Sequence, residues 1–150
     1  MKFKVSGLKS LLKKTRSIKR KMINKQSVLL AATIEYEKWI KENFKASGKK
    51  HKRSALHWKK LADSTIERRR KGGGQGNPKI LRDTGNLMLR WDITANNQEG
   101  KIRSGVNYSS IHENGGKDGN IPMRKIFPSD KQGREIVQPV FEKFVKKAWK

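Results

Sequence analysis

The stretch LKSLLKKTRSIKRKMINKQSVLLAATIEYEKWIKENF, residues 8–44, decides how the chain is read. Leu8, Leu11, Leu12, Thr15, Ile18, Met22, Leu29, Thr33, Tyr36, Ile40 and Phe44 fall on one stripe at helical periodicity, which predicts an amphipathic helix. Unbroken, it would run about 55 Å at about 1.5 Å per residue, more than a domain of this size covers by itself, so part of it is expected to project or to meet another chain. The stripe weakens at Asn24, Lys25, Gln26 and Ser27, where a kink or a division into two helices is the alternative. Leu29, Leu30, Ile34, Tyr36 and Ile40 are expected on the protein's own sheet. Leu8, Leu11, Leu12 and Ile18, set among lysines, are left as a candidate subunit interface.

Ten Lys and Arg precede the first acidic residue, Glu35, so the polar face of this helix is wholly positive. It can be a solvated or partner-facing helix, or it can lie on nucleic acid or on a membrane surface. The whole chain repeats the bias, with 37 Lys and Arg against 13 Asp and Glu and a formal net charge of +24. Such a field attracts phosphates or acidic protein surfaces and repels copies of itself, unless much of the charge is simply solvated surface. A mean hydropathy of −0.89 and 33% hydrophobic residues leave room for one small core in 150 residues. There are no cysteines, which removes disulfides, thiolate metal sites and cysteine nucleophiles together. Residues 1–20 are basic, but lysines interrupt every apolar run, and nothing approaches a membrane span. The expectation is a protein made and used in the cytoplasm, with no membrane partner.

Beyond the first helix, residues 46–57 read as a basic loop in which Lys49, Lys50, Lys52 and Arg53 repel one another and should be mobile. Trp58, Leu61, Ala62, Thr65, Ile66 and Arg69 share a helical face, and a flexible glycine loop, Gly72 to Gly76, follows Arg68, Arg69, Arg70 and Lys71. Asp83 or Thr84 can cap a short helix after Gly85. Arg90–Ala95 and Lys101–Asn107 are expected to form a hairpin about Asn96–Gly100, Tyr108–Glu113 one helical turn, and Ile121–Phe127 an edge strand. Residues 129–150 should supply a last helix that begins near Pro139 or kinks there. The fold class is α+β: a long amino-terminal helix, a small antiparallel sheet with a hairpin, and a carboxy-terminal helix packed on the sheet.

Catalytic patterns are not found. His51, His57 and His112 lack the spacing that places two imidazoles around zinc, and the glycines at 72–76 lack the Lys-Ser/Thr ending of a phosphate loop. Ser109 and Ser110 lie in no nucleophile elbow. His112 and Glu113, adjacent on a helical turn, point apart, so a nuclease reading built on them is set aside. No metal or cofactor is expected. Lys49, Lys50, Lys52, Arg53, Arg68, Arg69, Arg70 and Lys71 remain candidate polyanion contacts, suited to salt-sensitive, sequence-blind binding.

Five pieces taken in order form a pattern: Trp58 and Leu61; Thr65 and Arg69; Ile80-Leu81-Arg82-Asp83-Thr84-Gly85-Asn86-Leu87; Val106 to Gly116, including Tyr108, His112, Gly115 and Gly116; and Ile121-Pro122-Met123-Arg124. Over residues 55–128 the chain resembles the phage virion morphogenesis family, the Mu-like and related tail completion proteins. That family shows Trp-x-x-Leu, a Thr with arginines after it, Leu-x-Asp-Thr-Gly-x-Leu, Tyr-Ala-x-x-His-x-x-Gly and Ile-Pro-Ala-Arg-x-Phe. Here Ser109 and Met123 stand where Ala is usual, and Phe127 is displaced from its usual spacing after Arg124. The resemblance implies one tail-completion-like domain: a helical arm (1–45), the basic loop (46–57), a motif-bearing core (58–128) and the last helix (129–150). It implies a non-enzymatic ring subunit at the head-tail junction or top of the tail, assembled in the host cytoplasm. Its partners would be copies of itself, neighbouring phage neck and tail proteins, and the genomic DNA in the channel. The alternative is a basic nucleic-acid-binding protein without catalytic activity.

Overall fold

A computed structural model describes residues 8–72 and 79–149, without the side chains of residues 8–11 and 21–23. The amino-terminal stripe is divided into two helices, α1 (Leu8–Ile23) and α2 (Gln26–Lys45), and the break falls at Asn24 and Lys25, inside the segment where the stripe weakens. The interruption has a tertiary cause as well. Asn97 Oδ1 accepts the Gln26 backbone N–H at 3.1 Å, and Gln26 Nε2 donates to Ala95 O at 3.2 Å, so a distant loop occupies the first turn of α2.

That loop belongs to the expected hairpin. Strands β1 (Trp91–Ala95) and β2 (Gly100–Ser104) pair antiparallel, with Trp91 opposite Ser104, Ile93 opposite Ile102 and Ala95 opposite Gly100. Asn96 closes the connection, its Oδ1 accepting N–H bonds from Gln98 at 2.7 Å and Glu99 at 2.9 Å. A two-stranded hairpin is marginal alone, and α2 supplies its support. The approach is close at Gly100, where a Cβ would lie 2.2 Å from Thr33 Oγ1 and 3.0 Å from Leu29 O.

The expected edge strand at Ile121–Phe127 does not form, because its backbone groups are taken elsewhere. Arg124 N–H bonds His112 O at 2.7 Å, Gly116 N–H bonds Ile121 O, and the N–H groups of Ile126 and Phe127 go to the Glu113 carboxylate. The helix expected from Trp58 is also shortened, to α3 (Asp63–Arg70). Trp58 to Ala62 is not helical, since the Lys59 carbonyl, which a helix would bond internally, accepts from Arg124 instead. Helix α4 (Asn86–Leu89) starts at Gly85 in the left-handed region (φ +81), with Thr84 Oγ1 accepting the Asn86 N–H; α5 (Ser109–Asn114) ends at Gly115 (φ +85).

The last helix, α6, spans Asp130–Trp149 and begins nine residues earlier than Pro139 suggested. Its start is a Ser129-x-x-Gln132 box in which Gln132 N–H meets Ser129 Oγ, reinforced by Gly133 N–H to Ser129 O at 2.7 Å. Pro139 and Glu135 are both exposed, so the Glu135 carbonyl left without a partner faces water and the helix continues through the proline. Helix α6 packs chiefly on α2, touches α1, and meets the sheet where Val137 and Phe141 share an apolar hollow with Gly100, Ile102 and Phe127.

The core joins Trp39, Ile40 and Phe44 of α2 to Trp58, Leu87, Trp91 and Ile126. Ile40, Phe44 and Ile126 are fully buried, each contributing about 1.5–3 kcal/mol by leaving water. Of the residues expected on the sheet side of the first helix, Leu30 and Ile34 are exposed; the buried face of α2 is rotated to Val28, Ala32, Thr33, Trp39, Ile40, Asn43 and Phe44. Among the described residues no helix is long and apolar enough to cross a membrane.

Candidate functional site

Each of the five pieces, scattered over the sequence, sends residues to one hollow of about 450 Å³, while others of its residues, such as Trp58 in the core, do not line it. It is lined by residues 59–62 with Thr65, Arg68 and Arg69 of α3, by Tyr108, which precedes α5, and His112 within it, and by Leu81, Asp83, Thr84, Leu87, Ile121 and Pro122. Tyr108 stacks edge-on against His112, with centroids 6.0 Å apart. Leu81 adopts φ +56, a costly conformation for a leucine.

Charge in the hollow is one-sided. Lys59, Lys60, Arg68, Arg69 and Arg124 line it, against the single carboxylate Asp83, whose Oδ1 is 3.7 Å from Arg69 Nε. Arg69 also donates to Lys79 O at 3.1 Å. Arg124 is 6% exposed, and among the described residues its guanidinium donates from Nε and one Nη to Lys59 O, at 3.4 and 3.3 Å. Burial first and the Arg69 charge second lower its pKa. The His112 imidazole is likewise held below its ordinary value, by burial and then by Arg124, and its Nδ1 is buried without a partner.

Glu113, beside His112 in sequence, serves the other side of α5. Its Oε2 accepts the Ile126 N–H at 2.5 Å and the Phe127 N–H at 3.3 Å, while Oε1 lies 3.3 Å from Lys125 Nζ. It clamps the segment after Arg124 and does not face His112 as an acid or base partner. Among the described residues no group of three or more His, Asp or Glu is placed to hold a metal ion.

Behind the hollow lies a buried polar junction that sequence reasoning missed. The Lys125 carbonyl accepts from Trp58 Nε1 at 2.7 Å, His51 Nε2 at 2.8 Å and Asn43 Nδ2 at 3.3 Å. His51 therefore carries its proton on Nε2 in this arrangement. The junction corrects the expectation of a mobile loop at residues 49–53. His51 is buried edge-on against Trp39, Gln132 Nε2 donates to Lys50 O at 3.0 Å, and Gly48 sits so close to Trp58 that a Cβ would fall 2.3 Å from its Cγ. Two of the loop's candidate polyanion contacts are already in ion pairs, Lys50 with Glu42 at 2.6 Å and Lys52 with Glu135 at 2.5 Å. Their hydrogen bonds lower the pKa of both carboxylates. Lys49 and Arg53 remain exposed. The junction's signal in sequence was a histidine inside a lysine run, seven residues before a tryptophan.

The other candidates divide in the same way. Arg68 and Arg69 line the hollow, whereas Arg70 and Lys71 are exposed outside it. The glycine loop falls largely on residues 73–78, outside the described residues, as do the side chains of Leu8 and Leu11. Leu12 is 47% exposed and Ile18 half-buried. Comparison of the chain with protein-family models, with curated proteins and with solved structures gave no match.

Proposed function

We propose that the chain is a structural subunit of a tailed bacteriophage, in the tail completion or head-tail joining layer, and that it works by assembly with copies of itself and with neighbouring neck and tail proteins around the DNA channel. The observation that carries this reading is the convergence of the resembling residues, from Arg69 and Asp83 to His112, Pro122 and Arg124, on one surface hollow. Their roles are those of an assembly scaffold: a cap at Thr84, a left-handed turn at Gly115, a buried guanidinium at Arg124. The exposed cations of α1 and of the loop give the subunit a polyanion-facing surface, in the channel or on acidic faces of adjoining rings.

The test is genetic and structural together. A phage lacking this chain should accumulate unjoined heads and tails or unfinished tails, and complementation should restore particles carrying it in a small fixed copy number at the junction. Normal infectious particles without the chain would overturn the proposal.

One feature favours the second reading, a non-catalytic nucleic-acid-binding protein: Lys13, Lys14, Arg16, Lys19 and Arg20 are all exposed on α1. On that reading the isolated chain shifts DNA as a monomer or dimer, with affinity falling steeply as salt is added.

A further inference from the structure

We propose that the hollow beside Arg124 is a binding site for a carboxylate presented by a peptide segment of an adjoining protein, an Asp or Glu side chain flanked by an apolar residue. The inference rests on the assembly reading and names the chemistry of the partner.

Arg124 is a buried guanidinium with no carboxylate partner among the described residues. Its guanidinium donates from Nε and one Nη to one carbonyl at long distance, which leaves the rest of its hydrogen-bonding capacity without a protein partner among the described residues. A buried charge in that condition is costly, and an anion seated against it removes the cost with strong, charge-assisted bonds. The neighbouring cations add to the same field, and Asp83 is already engaged with Arg69. His112 Nδ1 faces no partner either.

The walls select the kind of anion. Leu61, Leu81, Leu87, Ile121 and Pro122 give the hollow an apolar wall, which suits a peptide side chain beside the carboxylate. A nucleic-acid duplex does not enter a concave hollow of this size. The acid does not come from residues 1–7 or 73–78 of the chain, which contain no Asp or Glu. A second copy is a poor donor too, given 37 Lys and Arg against 13 acidic residues and ion pairs already made by Glu35, Glu37, Glu42, Glu99, Glu113 and Glu135.

The experiment titrates the intact chain with acetyl-Leu-Glu-Leu-amide and with its Gln counterpart, in parallel with inorganic phosphate and a short DNA duplex. It follows thermal stability and the nuclear magnetic resonance signal of the Arg124 Nε–H. The Glu peptide should shift that signal saturably and raise Tm, binding at least about tenfold more tightly than the Gln peptide. The shift should vanish in Arg124→Gln. Equal response to the Glu and Gln peptides, unchanged binding in Arg124→Gln, or an Arg124 signal that answers phosphate or DNA but not the Glu peptide would each overturn the proposal. If Arg124→Gln fails to fold, the comparison of the peptides on the unaltered chain decides alone. Binding is measured on the isolated protein, so its failure is distinct from a failure of particles to require the chain.

Discussion

Glu113 satisfies two backbone N–H groups at once, and removing it leaves Ile126 and Phe127 with donors facing a half-buried gap. Glu113→Ala should therefore cost about 1–3 kcal/mol in urea unfolding, whereas Glu113→Gln, which keeps an acceptor oxygen, should cost less. Equal losses would mean that the carboxylate's charge toward Lys125 is what counts. Tyr36 offers a second residue-scale test. Burial, helped by Asp130 and Glu113, pushes its phenol up to about 12 from 10.0. A raised folded-state value means that the neutral phenol stabilises the fold fully below pH 10 and that this contribution disappears as pH rises through about 12. Chemical denaturation at alkaline pH should show a steeper loss for the wild type than for Tyr36→Phe, and parallel curves would refute it. Which residues matter was partly legible. The separation of His112 from Glu113 followed from adjacency on a helix, but the clamp on residues 126–127 did not, because its partners lie 13 and 14 residues away in a segment whose backbone is irregular.

At the scale of elements, the legible features were those with a local cause. The division of the amino-terminal stripe at Asn24, the hairpin and the short turn after Tyr108 each follow from periodicity or turn chemistry. The lost strand at Ile121–Phe127 and the shortened α3 were illegible because tertiary acceptors, the Lys59 carbonyl and the Glu113 carboxylate, override local preference. The start of α6 could have been found: Ser129-x-x-Gln132 is a capping signal, and the apolar pattern with Pro139 inside it outweighed that signal. Two substitutions test how the elements fit. Gly100→Ala drives a Cβ into Thr33 and the Leu29 carbonyl, so hairpin and α2 must separate; a loss of about 1–3 kcal/mol is expected, and a neutral result would show that the hairpin can slide. Leu12→Ser, on an exposed position of α1, should change folding stability by no more than about 0.5 kcal/mol. On the assembly reading it nevertheless blocks particle maturation, seen by electron microscopy after complementation. A stable variant that assembles normally would reduce α1 to a solvated arm.

For the molecule as a whole, a net charge of +24 sets a repulsion that the small core must offset. Raising salt from about 0.05 to about 0.5 M should screen it and increase Tm, and a Tm that is flat or falling would show that the ion pairs outweigh the repulsion. The Lys125 carbonyl has a consequence of another kind, in the order of synthesis. Its three donors, Trp58, His51 and Asn43, precede it by 67, 74 and 82 residues. While the chain emerges from a ribosome, these polar groups and the aromatic faces beside them exist without the acceptor that lets them be buried. Helix α2 can form early, because its bonds are local, but its packing against Trp58 must wait until residue 125 is outside the exit tunnel. Residues 43 to 58 are thus made well before the carbonyl that closes the core around them, and the core aromatic faces stay open over that interval.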